Sequence, residues 1–189
     1  SGYINSKYLA QQYVLEQVER RGLPAIVVNP TFMIGANDIK PSSGKLVLYG
    51  IGSSITFHPP GGKNFVHIID VCYGIINAIK NGKLGECYLL AGNNLSYRQF
   101  FRLRNSFTGH HSLLVQVPAF MLKFAGMLGS LAQRITGKCS KLNYTGATLL
   151  CLNNYYTGKK SERELGLKYT PIDVALKNAL NWFKDHNYY

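Results

Sequence analysis

Apolar residues at positions 8, 9, 10, 13, 14, 15 and 18 recur with helical spacing, so Tyr3 to Arg21 reads as an amphipathic helix stopped by Gly22 and Pro24. Ala25 to Asn29 is a short apolar, β-branched run bounded by Pro30, which predicts a strand buried on both faces. A loop rich in Gly, Pro and Ser covers Gly35 to Gly44, and a second extended region runs from Ile55 to His67 with a Pro59-Pro60-Gly61-Gly62 turn inside it. Helical spacing returns from Ile68 to Lys80, with Asp70 placed to cap the first turn and Asn81-Gly82 closing the helix. Glu86 to Ala91 then reads as another buried strand, Asn94-Leu95-Ser96 as the cap of a helix through Ser106, and Leu113 to Val117 as extended chain. A long helix is predicted from Ala119 to Arg134. Thr170-Pro171-Ile172-Asp173 opens a last amphipathic helix whose buried face is Val174, Leu176, Ala179, Leu180, Trp182 and Phe183. The alternation of helix and buried strand makes this an α/β chain without internal repeats.

Composition narrows the class. With 189 residues, 46% of them hydrophobic and 12% aromatic, the chain can bury a full core, which excludes disorder. The longest apolar stretch, Pro118 to Gln133, is broken by Lys123 and falls short of the roughly 20 residues that cross a bilayer. No secretion signal is legible at the start, so a cytoplasmic location and no transmembrane segment are expected. Cys72, Cys87, Cys139 and Cys151 are scattered without a Cys-x-x-Cys pair and read as reduced core residues. No metal site is expected, since the neighbouring His110 and His111 stand too close together to form a helical metal face.

The formal charge of +12 is unevenly placed, for Val71 to Lys160 holds eleven basic residues and a single acid, Glu86. The cations are spread singly over several elements with no dense basic stripe, so nucleic-acid binding is not the expected use of this charge. Arg98, Arg102 and Arg104, at spacings of four and two on one predicted helix, cannot all face one ligand, and most are expected to be solvated.

Tyr3 and Lys7 stand one helical turn apart on one face. A nearby ammonium favours a phenolate, which lets a tyrosine exchange a proton with a substrate alcohol or carbonyl. Spacing does not single the pair out: 13 Tyr and 14 Lys give about one such pair by chance, and Tyr155 with Lys159 and Tyr156 with Lys160 repeat it. Those two have Thr157-Gly158 between them, a poor helix interior. No segment carries Gly-x-Gly-x-x-Gly between a strand and a helix; Gly50-Ile51-Gly52 reads as an ordinary turn. The chain also opens inside a helical pattern, and the expectation is a fragment.

Several ordered segments resemble one superfamily. Tyr3-x-x-x-Lys7, the buried strand ending in Asn29-Pro30-Thr31 with Gly35 beyond it, Asn64-Phe65-Val66-His67-Ile68-Ile69-Asp70-Val71, and Ser161 to Leu167 with the Trp182-Phe183 helix span almost the whole chain. Together they are similar to the extended short-chain dehydrogenase/reductases, the NAD-dependent epimerase/dehydratase group. Asn29-Pro30-Thr31 looks most like the dihydroflavonol-reductase and 3β-hydroxysteroid-dehydrogenase branch, where many nucleotide-sugar epimerases have Arg-Pro.

The resemblance implies the C-terminal part of a Rossmann-type doubly wound sheet plus a mostly helical substrate-binding lobe. Residues 1–30 and about 68–91 would supply sheet elements, and about 31–67 and 92–189 the lobe. Tyr3 would be the catalytic acid/base, Lys7 would bind the nicotinamide ribose and lower the Tyr3 pKa, and Pro30 would line the nicotinamide pocket. The cofactor, NAD or NADP, would be held mainly by an N-terminal half that this chain lacks, leaving it inactive alone. Hydride transfer to or from a small-molecule carbonyl/alcohol substrate is the leading expectation, with Val117 to Leu122 helping to line an apolar pocket and a homodimer as the assembly. The alternatives are a nucleotide-sugar epimerase/dehydratase and a non-catalytic dinucleotide-sensing or protein-binding module.

Overall fold

The computed structural model describes residues 2–109, 111–136 and 142–189. Helix α1, Gly2–Arg21, ends where Gly22 adopts a φ of 65° and returns its N–H to the Val18 carbonyl at 3.0 Å. Strand β1, Val27–Pro30, is followed after Thr31 by β2, Phe32–Ile34. Next come α2, Gly44–Leu48, β3, Ile55–His58, β4, Gly62–His67, α3, Ile68–Asn81, and β5, Cys87–Leu90. Strand β6, Asn93–Ser96, leads into α4, Tyr97–Thr108, through a reciprocal cap: Gln99 N–H donates to Ser96 Oγ at 3.2 Å and Ser96 N–H to Gln99 Oε1 at 2.8 Å. Strand β7, Leu113–Gln116, α5, Ala119–Thr136, α6, Tyr144–Leu150, β8, Asn153–Asn154, α7, Lys159–Leu165, and α8, Ile172–Asp185, complete the order. No helix among the described residues is long and apolar enough to cross a membrane.

The strands form three small sheets, each joined by long-range pairing. β1 runs parallel to β5, from Val27 opposite Cys87 to Pro30 opposite Leu90. β4 is the hub of a second sheet, parallel to β2 and β8 and antiparallel to β6. β3 pairs in parallel with β7. Thus the two halves of the extended region at 55–67 join different sheets and do not form a hairpin. The strand at 25–29 departs from expectation as well: with only β5 beside it, β1 is half-buried, not covered on both faces.

β4 places alternate residues in two cores, as a pleated strand must. Phe65 stacks on Phe100 with ring centroids 4.7 Å apart and packs with Phe101 of α4 and Leu176, Leu180 and Phe183 of α8. Val66 turns the other way, toward Val71 and Ala78 of α3, Tyr88 and Leu90 of β5, and Leu165. The buried face of α8 is Ile172, Ala175, Leu176, Ala179, Leu180 and Phe183; Val174 faces solvent and Trp182 is half-buried, a shift of the stripe toward the N-terminus from that expected.

Two buried charged groups fasten the elements. The His67 cap of α3 makes no side-chain bond, and Asp70, instead of capping its own helix, accepts Thr170 N–H on Oδ2 and Thr170 Oγ1–H on Oδ1, each at 2.7 Å. Asp70 therefore ties α3 to the turn that begins α8. Arg104, fully buried, donates from its guanidinium to the Tyr49 and Val47 carbonyls that α2 leaves unpaired and to Asn105 Oδ1. Burial pushes its pKa down to about 10. The cysteines are not core residues: Cys72 is exposed, Cys87 and Cys151 are half-buried and all three are free, while Cys139 and His110 lie outside the described residues.

Several helix faces remain uncovered. Tyr3, Tyr8 and Leu9 on α1, Ile76 and Ile79 on α3, and Phe120, Phe124 and Ile135 on α5 are exposed, Ile79 by 79%.

Candidate functional site

A cavity of about 530 Å³ opens where β1 gives way to β2. Its floor comes from the central sheet. Thr31 and Phe32 follow Pro30, and Lys63, paired with Leu95 on one side and Asn154 on the other, lies beside them on β4. The opposite wall is apolar, from Leu149 and Leu150 of α6, and Tyr156 closes one end. Helix α6 can approach because Gly61 has no side chain: a Cβ there would lie 2.4 Å from the Leu152 carbonyl oxygen and 2.5 Å from that of Leu150. Asn143 caps α6, accepting Gly146 N–H at 2.8 Å.

Asn64 is the knot beneath this cavity. Only 2% exposed, it accepts the Thr31 hydroxyl at 2.7 Å and donates to Asn94 Oδ1 at 2.7 Å and the Gly92 carbonyl at 3.2 Å. Asn94 grips Tyr156 at both backbone groups, donating to its carbonyl at 3.0 Å and accepting its N–H at 3.1 Å. A chain of polar side chains thereby holds the end of β1 and the 156 segment at opposite edges of one pocket.

Two polar groups on the lining are unmatched. The Lys63 ammonium lies 4.6 Å from the centroid of the Phe32 ring, and among the described residues it forms no ion pair. Partial burial pushes its pKa below the usual lysine range. Tyr97, 1% exposed, has a buried hydroxyl with no hydrogen-bond partner, and desolvation pushes its pKa up to about 12. Among the described residues no group of His, Cys, Asp and Glu is arranged to hold a metal ion.

Most of the residues singled out from sequence lie outside this pocket. Tyr3 and Lys7 share one exposed face of α1, with Lys7 Nζ 5.9 Å from the Tyr3 ring centroid, and neither lines the cavity. Pro30 stands at the exposed end of β1, one residue before the lining begins. Of the rival Tyr-Lys pairs, the second commits its lysine to structure: Gly158 precedes α7, and Lys160 is bound to Glu86 Oε2 at 2.6 Å and to the Cys87 carbonyl at 3.0 Å. Val117 to Leu122 do not line the pocket; they lead into α5 with Phe120 73% exposed, and α6 provides the apolar wall instead. Of the three arginines, Arg98 and Arg102 share an outer groove with His111 while Arg104 is buried. Lys63 and Tyr97 were missed. The signal for Lys63 is a lone charge two residues from Phe65, hence on an inward strand face.

No family model matches the sequence. Among curated relatives, a dihydroflavonol-4-reductase-like protein from Synechocystis is 29% identical over 98% of this chain and 55% of its own length. Sterol demethylase protein B from Methylococcus capsulatus is 29% identical over 91% of this chain and 53% of its own. The structure of a nucleoside-diphosphate-sugar epimerase from Pseudomonas aeruginosa superposes with a TM-score of 0.79 at 26% identity, covering 100% of this chain and 57% of that one. In sequence and fold the chain is thus similar to dihydroflavonol-reductase-like and nucleoside-diphosphate-sugar epimerase proteins. It spans about half the length of the curated relatives it matches. A more distant structural neighbour, a dTDP-glucose 4,6-dehydratase from Streptomyces venezuelae with a TM-score of 0.70 at 17% identity, was crystallised with NAD.

Proposed function

We propose that this chain is the C-terminal portion of an NAD(P)-dependent oxidoreductase that interconverts a carbonyl and an alcohol on a small, largely apolar substrate. The observation that carries this reading is the cavity of about 530 Å³ that begins immediately after Pro30, with an apolar wall from Phe32, Leu149 and Leu150. It sits beyond the carboxyl end of β1, the place where open α/β sheets bind their ligands.

The residue types present suit a nicotinamide dinucleotide. Pro30 offers an exposed apolar surface where the parallel β1–β5 pair ends, and Tyr3 and Lys7 offer a hydroxyl and an ammonium on one accessible helix face. The bound cofactor supplies or accepts the hydride. Lys7 would hold the ribose hydroxyls, Pro30 would bound the nicotinamide ring, and Tyr3 Oη would give its proton to the carbonyl oxygen during reduction and take one back during oxidation. Thr31, fixed through Asn64, sets the pocket edge next to Pro30, while α6 offers the substrate an apolar wall.

Sugar-nucleotide epimerisation is the second reading, favoured by the 26% identical epimerase. In the full-length protein, Tyr3→Phe is expected to abolish turnover with little loss of cofactor affinity, and Lys7→Met to impair both. Wild-type turnover by Tyr3→Phe on an identified substrate would overturn the acid/base assignment. A panel that follows nicotinamide absorbance with apolar ketones, and product anomers with nucleotide sugars, separates the two readings. Epimerisation without ketone reduction would reverse the choice.

A further inference from the structure

We infer that the natural ligand of the cavity at Lys63 is an apolar molecule carrying one carboxylate, which pairs with the Lys63 ammonium. This rests on reading the cavity as the substrate pocket and adds the chemical class of what enters it. A lysine on an inward strand face is costly unless something matches its charge, and among the described residues no carboxylate does so. Its only described neighbour of note is the Phe32 ring, 4.6 Å from Nζ to centroid, which holds the ammonium over the cavity floor without neutralising it. A ligand carboxylate at the cavity floor would match this cation.

The number and kind of donors choose the anion. Among the described lining residues Lys63 is the only cation, and it acts as a point charge without the planar fork by which arginine grips a phosphate. A diphosphate brings more than one negative charge and would need several such groups, whereas one carboxylate needs one. Phe32, Leu149 and Leu150 form a surface that gains by covering hydrocarbon and offers nothing to a sugar. The anionic end therefore lies on the sheet side and the apolar body against α6.

The test uses the full-length protein with 2-naphthoate and its methyl ester as probes, their binding measured by calorimetry. The acid is expected to bind about tenfold more tightly than the ester, the preference of one charge-assisted contact. Lys63→Met should remove that preference while leaving ester affinity unchanged, and Lys63→Arg should retain it. Unchanged ester binding shows that the pocket of the Met variant is intact. Equal binding of acid and ester, a preference that survives Lys63→Met, displacement of naphthoate by pyrophosphate, or binding of neither probe would each overturn the inference. Loss of turnover in Tyr3→Phe alongside any of those results would leave the oxidoreductase reading standing and remove only the ligand class.

Discussion

The tie between Asp70 and Thr170 makes a prediction whose size follows from the structure. Asp70 is 5% exposed and spends both oxygens on one residue 100 positions away, so its substitution tests whether α8 is held onto α3 by this contact. Asp70→Ala removes two charge-assisted bonds and leaves the Thr170 N–H without its acceptor. At about 1.5–3 kcal/mol for each bond to a charged group, discounted for water reaching the half-buried threonine, the loss should be about 3–4 kcal/mol. Thr170→Val removes only the hydroxyl bond and should cost about 1.5–2 kcal/mol. Asp70→Asn retains the shape and can still accept the N–H while its amide donates to the hydroxyl, so it should cost about 1 kcal/mol. Urea denaturation of the full-length protein and of all four members of the Asp70→Ala, Thr170→Val cycle measures these quantities, with a coupling of about 1.5 kcal/mol expected. If Thr170→Val cost as much with Ala at position 70 as with Asp there, the two side chains would not be interacting and the tie would be refuted.

Arg104→Met should destabilise by about 2–3 kcal/mol because the α2 carbonyls lose their donors, and Arg104→Lys should recover less than half of that in the same denaturation assay. Gly61→Ala pushes a methyl into the Leu150 and Leu152 carbonyls, so the α6 turn must move; a loss of about 1–3 kcal/mol and weaker binding of methyl 2-naphthoate are expected by denaturation and calorimetry. The hydrogen bond from Lys160 to Glu86 raises the lysine pKa, so its stabilisation is present at neutral pH, below the unfolded value, and is lost as pH rises through the raised folded one. With both side chains over a third exposed, Lys160→Met should cost under about 1 kcal/mol at pH 7 and progressively less as the pH rises above the ordinary lysine range, read from melts across that range.

What could be read from the sequence alone is what near neighbours encode. The 3.6-residue spacing of Val71, Gly74 and Ala78 marks α3, Ser96 with Gln99 marks the start of α4, and Gly22, Gly82 and Gly109 mark where helices stop, because each signal lies within a few residues of its effect. The Tyr3-Lys7 pair was equally local, one turn of one helix, and only the ordered segments around it separated it from the Tyr155 and Tyr156 pairs. Helix α6 escaped notice because Tyr144–Leu150 is short and carries Thr and Gly. Arg104 could not be distinguished from Arg98 and Arg102 until α2 arrived to place two carbonyls at its guanidinium. The pocket is the extreme case. Thr31, Lys63, Tyr97, Leu150 and Tyr156 meet only because β4 pairs with β2, β6 and β8 and because Gly61 admits the α6 turn at backbone distance. Period and capping act over a turn of helix, so they determined which segments became helices or strands. Which strands paired, and therefore which charges were left facing an apolar wall, depended on contacts between residues tens of positions apart, and only tertiary packing decides those.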